Sequence, residues 1–459
     1  MAIPRRSLQG DWSSPWVPLL ALVGAGVGIA SLWHFPLLLA EQGIALLIWY
    51  GIALVFLGLP FLTLEMLAGR ISRQPPVQAL TSLAEMHGLS RHWRWLGLGL
   101  IASAFLILAG LAVVAAWLSG FAFRMVVAGS GTLDGPVLSR ALSDLVTEPE
   151  RGLGWMTLFL LAVALPVAGG RRSLERFLFL AVPAMLVLLL ALALAVGHAE
   201  NPLPALPPPG VASLSSLEVI FSGFQQAFFG LALASGVAMT FGMGVRRGRS
   251  VLWLAPATIL LHGLATMTAA LLVLGALGVS AVAANRGGLD LLFYSLAPAL
   301  ADLPNSGLVL SGFAVLVLLV LLTSGVAFLQ VLVASLRALG LNPVRSVSLA
   351  TGAVWLLGLL SLLAYSLWAD WQPFAFWSGL SLPDLLNRFT ALILLPLVGL
   401  ALSLFMAWRL PRETVLLGLT FADGRAALIG HLLVRLLLPV AVLLLFLGGI
   451  GVPFNFQSS

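Results

Sequence analysis

Long apolar runs separated by short polar gaps make up most of the chain. A bilayer core of about 30 Å takes about 20 helical residues to cross. Runs of that length fall at roughly 16–40, 43–68, 95–125, 153–170, 175–197, 217–243, 251–280, 307–337, 347–368, 384–409 and 430–450, and predict about eleven transmembrane helices. The gaps carry the charge. With the N-terminus inside, Arg5, Arg6, Arg70, Arg73, Arg91, Arg94, Arg171, Arg172, Arg176, Arg246, Arg247, Arg249, Arg337, Arg345, Arg409, Arg412, Arg425 and Arg435 are cytoplasmic. Only Arg124, Arg140, Arg151, Arg286 and Arg388 then lie outside. That asymmetry sets the expected orientation and puts Gly451–Ser459 outside.

Two of the runs are interrupted. Residues 18–36, PLLALVGAGVGIASLWHFP, carry Gly24, Gly26 and Gly28 and close at Pro36. Each glycine weakens a helix by about 1 kcal/mol, so together they invite the span to open at mid-membrane. Irregular backbone at that depth needs protein or a cavity around it. In the sixth run, residues 225–244, Gly230, Ser235 and Gly236 form a comparable break soon after Gln225 and Gln226. The extended connector 201–210, NPLPALPPPG, lies between the fifth and sixth runs.

Composition agrees with a membrane protein: of 459 residues, 60% are hydrophobic and 9% charged, with a mean hydropathy of +1.08. All basic residues are Arg, and there is no Cys, so thiol chemistry plays no part. A net charge of +6 could suit nucleic acid, but arginines in short gaps between spans are explained by topology instead. No cleavable signal peptide is expected, because the apolar run after Arg5 and Arg6 is too long and lacks a cleavage site. No HExxH, Walker or GxSxG context is present. An enzyme is therefore not expected.

Residues 12–70 resemble the opening of the neurotransmitter:sodium symporter family, in particular its bacterial leucine-transporter-like branch. The resemblance rests on Trp12, Gly24 to Gly28, Trp33-His34-Phe35-Pro36, Glu41-Gln42-Gly43, and Gly58-Leu59-Pro60 followed by Glu65 and Gly69-Arg70. It implies an all-α polytopic membrane protein with a leucine-transporter-type 5+5 inverted repeat and discontinuous helices 1 and 6. The first repeat would occupy residues 1–200, the second 201–415, and an additional helix 416–459.

The resemblance also implies sites. Sodium would be held by the carbonyls of Gly24, Val27 and Val320 and by the hydroxyls of Thr323 and Ser324. The family's other sodium site maps to Ser31, Gly230 and His262, which lack the expected oxygens, so that site should be absent or altered. His262 would put an imidazole there. The substrate would meet Ala25, Gly26, Gly28 and Ile29 at the break, where unpaired amides suit a carboxylate. Ile107, Leu111, Phe229, Ala232, Ser235 and Phe328 would surround its side chain. Leu111 stands where the family has a Tyr hydroxyl. The outer gate pair maps to His34 and Asn387, and the inner pair to Gln9 and Ala338, with Trp12 retained. Ser173 and Pro183 mark the fifth span, where Ser in place of a family Gly restrains unwinding.

The expected function is sodium-coupled import of a hydrophobic amino acid or related small carboxylate across the bacterial inner membrane. Na+, the lipid bilayer and the small-molecule substrate are the expected partners, with no nucleic acid. A proton-coupled carrier using His34 or His262, and a non-transporting ligand sensor on the same fold, stay open as alternatives.

Overall fold

The first apolar run does not form one rod. A computed structural model describes residues 10–128, 149–197, 206–246, 253–284, 287–368, 381–419 and 425–449. In it the run begins as α1 (Trp16–Gly26) and resumes as α2 (Ala30–Ala53). Between them Val27, at φ −77° and ψ 71°, is the centre of an inverse γ-turn in which Gly28 N–H donates to Gly26 O at 2.8 Å. A continuous helix would have sent that N–H to Gly24 O, four residues back. The break thus releases the Gly24 carbonyl.

α2 carries the chain into the second span through a second irregularity. Gly43, at φ 61° and ψ −146°, leaves helical geometry altogether. A Cβ there would lie 2.4 Å from Pro207 O, which also accepts from Ile44 N–H at 3.1 Å. The described end of the proline-rich connector therefore docks on the turn between the first two spans. A π-helical turn, Leu54–Gly58, leads on to α3 (Leu59–Ser72).

The remaining runs follow in order. After the short α4 (Pro76–Met86) come α5 (Arg94–Ala128), α6 (Pro149–Ala168) and α7 (Gly170–Gly197), which continues unbroken past Pro183. The sixth span is split into α8 (Leu217–Gly230) and α9 (Val237–Gly242). α10 (Leu254–Leu277), α11 (Ser306–Ala338), α12 (Pro343–Tyr365), a helical tenth span over Leu382–Arg409, and α13 (Arg425–Gly449) complete the bundle. Among the described residues, helices fall in all eleven expected stretches, and both expected discontinuities are present.

α11 is the axle of the bundle: 78% of its apolar window is buried, against 33–50% for the other long spans. It packs on α5, α6, α7, α12 and α1. Outer faces stay apolar, with Leu180 at 75% and Leu308 at 77% exposure. Such a surface is stable only against lipid tails. Elsewhere small residues let backbones touch. A Cβ on Gly69 of α3 would come within 1.9 Å of Met239 O, and one on Gly242 of α9 within 2.4 Å of Met66 O, so this crossing requires both glycines.

Candidate functional site

The released Gly24 carbonyl faces α11. Ser324 Oγ donates to it at 3.0 Å, although the two residues lie 300 positions apart. Thr323 sits beside it: a Cβ on Gly24 would be 3.1 Å from Thr323 Cβ and 3.7 Å from its Oγ1. Thr323 Oγ1 lies 2.9 Å from Leu319 O and 3.2 Å from Val320 O. On the α7 side, Met185 Sδ is 3.6 Å from the same hydroxyl, and Val182 packs where a Gly24 side chain would go. Ser324 Oγ is also 3.9 Å from the Cβ position of Gly28. Four of the five expected sodium ligands, Gly24, Val320, Thr323 and Ser324, are thus gathered in one buried place. The fifth, Val27, is the centre of the γ-turn, so its carbonyl no longer follows the helix. These neutral oxygens suit a hard monovalent cation.

The sixth-span break runs from Leu231 to Gly236. Gly236 takes the left-handed conformation at φ 77°, but so do Ala232 at φ 51° and Ala234 at φ 58°. Each alanine there costs about 1–2 kcal/mol. Glu65 of α3 holds the strained segment: fully buried, it accepts Ala234 N–H on Oε2 at 3.3 Å, and the amides of Gly236 and Met239 also address it. Ser235 is buried with its hydroxyl committed to Ala232 O at 2.5 Å.

The two breaks meet at His262 of α10. A Cβ on Gly26 would lie 2.8 Å from Gly230 O and 3.2 Å from His262 Nδ1, and a Cβ on Gly230 would lie 3.0 Å from His262 Nε2. The ring is fully buried, and neither nitrogen finds a hydrogen-bond partner among the described residues. The hydroxyls of Tyr50 and Thr266 are buried as well, and the two face each other. Ser31 is buried in the first turn of α2, its N–H on Gly28 O at 3.0 Å.

Of the expected substrate residues, Ala25, Gly26, Gly28 and Ile29 lie at the first break and Phe229, Ala232 and Ser235 at the second. Ile107 and Leu111 of α5 and Phe229 and Ala232 at the sixth-span break are half-buried, whereas Phe328 of α11, Ala25, Gly26 and Ile29 are buried and Gly28 is half-buried. The expected outer gate pair is not formed. His34 hydrogen-bonds Gln226 of α8 instead, Nδ1 to Oε1 at 3.1 Å, and Asn387 is exposed. A buried amide one helix away outcompetes an exposed one. At the opposite end Gln9 falls outside the described residues, and Ala338 is half-buried at the end of α11. Trp12 is buried, its ring nitrogen donating to Phe241 O at 2.8 Å.

With this geometry in place, the likenesses to other proteins become informative. The profile described as "Sodium:neurotransmitter symporter family" matches residues 9–124. An uncharacterized sodium-dependent transporter of Bacillus subtilis, YhdH, is 24% identical, covering 96% of this chain and 98% of its own. The chain resembles this family over residues 9–124, and a sodium-dependent transporter along nearly all of its length. Another relative, an uncharacterized sodium-dependent transporter of Haemophilus influenzae, is 24% identical over 88% of this chain and 90% of itself. The crystal structure of MhsT in complex with L-phenylalanine superposes with a TM-score of 0.84 at 24% identity, covering 96% of this chain and 99% of that one, and so shares its fold.

Glu65, Gln226, Tyr50 and Thr266 did not figure among the expected site residues. An acid and an amide inside otherwise apolar runs were the signal for the first two, since polar groups at membrane depth are costly unless used. Thr266 carries no comparable mark, because hydroxyls commonly bond their own helix.

Proposed function

We propose that the protein is a sodium-coupled secondary transporter that imports a hydrophobic amino acid or a related small carboxylate by alternating access. One observation carries this reading: the γ-turn at Val27 frees Gly24 O, which faces Ser324 Oγ at 3.0 Å with Thr323 beside it. Sodium between α1 and α11 would tie together two elements whose separation opens the pathway. It would thus favour the conformation in which both contribute oxygens. The apolar side chains of Ile107, Leu111, Phe229 and Phe328 favour an apolar substrate, as does the L-phenylalanine named with MhsT. His262 fills the space between the breaks, which supports a single coupled sodium. The arginine distribution supports a plasma-membrane protein with a cytoplasmic N-terminus. Residues 1–200 and 201–415 would then be the two repeats, with 416–459 as the added helix.

The test is amino-acid uptake into proteoliposomes with sodium or choline outside, for the natural protein and for Thr323→Ala and Ser324→Ala. Uptake requiring sodium, with apparent sodium affinity weakened roughly tenfold or more in the variants, is expected. Uptake indifferent to sodium and to both substitutions overturns the reading. The orphaned imidazole of His262 favours a second reading, proton coupling. That version gives sodium-independent uptake driven by a pH gradient and lost in His262→Gln.

A further inference from the structure

Four elements meet at the end of the bundle where α1 begins. Asp11 and Trp12 precede α1, Arg73 closes α3, Arg171 and Glu175 lie in the first turns of α7, and Gly244 and Val245 follow α9. Arg73 reaches across them. Its Nη1 donates to Val245 O at 3.0 Å, and its Nη2 pairs with the Asp11 carboxylate. Arg171 donates to the Asp11 backbone carbonyl, and Glu175 Oε1 accepts Ser13 N–H at 2.9 Å. Trp12 N–H bonds Gly244 O at 2.9 Å while its ring stacks on Phe241 with centroids 5.5 Å apart. A Cβ on Gly244 would lie 2.4 Å from Trp12 Nε1, so the ring lies flat on bare backbone.

Arg73 occupies its place at a cost. Its φ of 59° and ψ of 27° lie in the left-handed region, which a glycine would adopt freely and an arginine does not. Its side chain is 9% exposed. A strained, enclosed guanidinium is worth keeping only if its bonds matter. The bonds it makes join the stretch ahead of α1 to the stretch behind α9. Those are the two half-helices that lie on this side of both breaks.

We propose that Arg73 is a positioning residue that latches this end of the pathway shut, through Asp11 on one side and Val245 O on the other. The inference rests on the reading that substrate passes between the broken spans. For the pathway to open here, Trp12 must leave Phe241 and Gly244. The Asp11–Arg73 pair must part for α1 to carry Trp12 away. Most of the other bonds at this end run to backbone groups, so the ion pair is the part that side-chain substitution can release.

The experiment is hydrogen–deuterium exchange, read by mass spectrometry, on the purified full chain in detergent. Arg73→Gln and Asp11→Asn are expected to speed exchange in peptides covering residues 11–24 and 237–246 by roughly tenfold or more, while α11 peptides keep their protection. Arg91→Gln, which removes an exposed arginine paired with Glu85, is expected to leave both regions unchanged. Exchanging the charges, Asp11→Arg with Arg73→Asp, is expected to restore much of the protection. Unchanged exchange in both single variants overturns the latch. So does acceleration in Asp11→Asn that is as large in α11 as at this end, or a charge-exchanged protein as open as the single variants. Exchange is read without flux. Faster exchange in a protein that proves unable to transport therefore sinks the transport reading alone, and sodium-driven transport with unchanged exchange sinks the latch alone.

Discussion

Single residues decide whether the breaks hold. Glu65 buries its carboxylate against the amides of a segment in which Ala232 and Ala234 are strained. Glu65→Gln brings an amide donor to face those N–H groups, and one or more of them loses its acceptor. A loss of about 1–3 kcal/mol is expected, read as a lower Tm in detergent, together with weaker stabilisation by sodium. Ser324→Ala should act differently, leaving Tm without sodium nearly unchanged while the sodium-dependent rise shrinks. Part of this was legible in the chain. Gly24, Gly26 and Gly28 announced the first break because glycine is the residue that lets a helix open. Ala232 and Ala234 announced nothing, because alanine is an excellent helix former and the carboxylate that Ala234 N–H meets, Glu65, lies 169 positions away.

At the level of elements, close backbone approach sets the architecture. α3 and α9 cross where Gly69 meets Met239 O and Gly242 meets Met66 O, with no room for a methyl group on either side. Gly69→Ala or Gly242→Ala should cost about 1–3 kcal/mol through overpacking and lower both Tm and the yield of folded protein. Gly110→Ala, on α5 with open space around it, should do neither. The positions and ends of the spans were readable because apolar length is a strong signal in a membrane protein. The partner of His34 was not. Family register pointed to Asn387, and only the packing of α8 on α2 brings Gln226 within 3.1 Å.

Across the whole molecule, α11 is enclosed while its neighbours turn apolar faces outward. An ion gripped between α1 and α11 should therefore stabilise the entire fold. Sodium at about 100 times its dissociation constant should add roughly 2.7 kcal/mol, seen as a rise in Tm that choline does not reproduce. Loss of that rise in the Thr323→Ala and Ser324→Ala variants would trace it to this site.

The contact between Gly43 and Pro207 reaches furthest. Gly43→Ala combines a forbidden φ with a Cβ 2.4 Å from Pro207 O, and should cost about 2–3 kcal/mol, measured as a fall in Tm. The described end of the connector between the fifth and sixth spans is not slack rope. It is bolted to the elbow between the first and second spans by Ile44 N–H and Pro207 O. A tilt of the opening span would therefore pull, through this bolt, on the strand of chain that leads into the sixth.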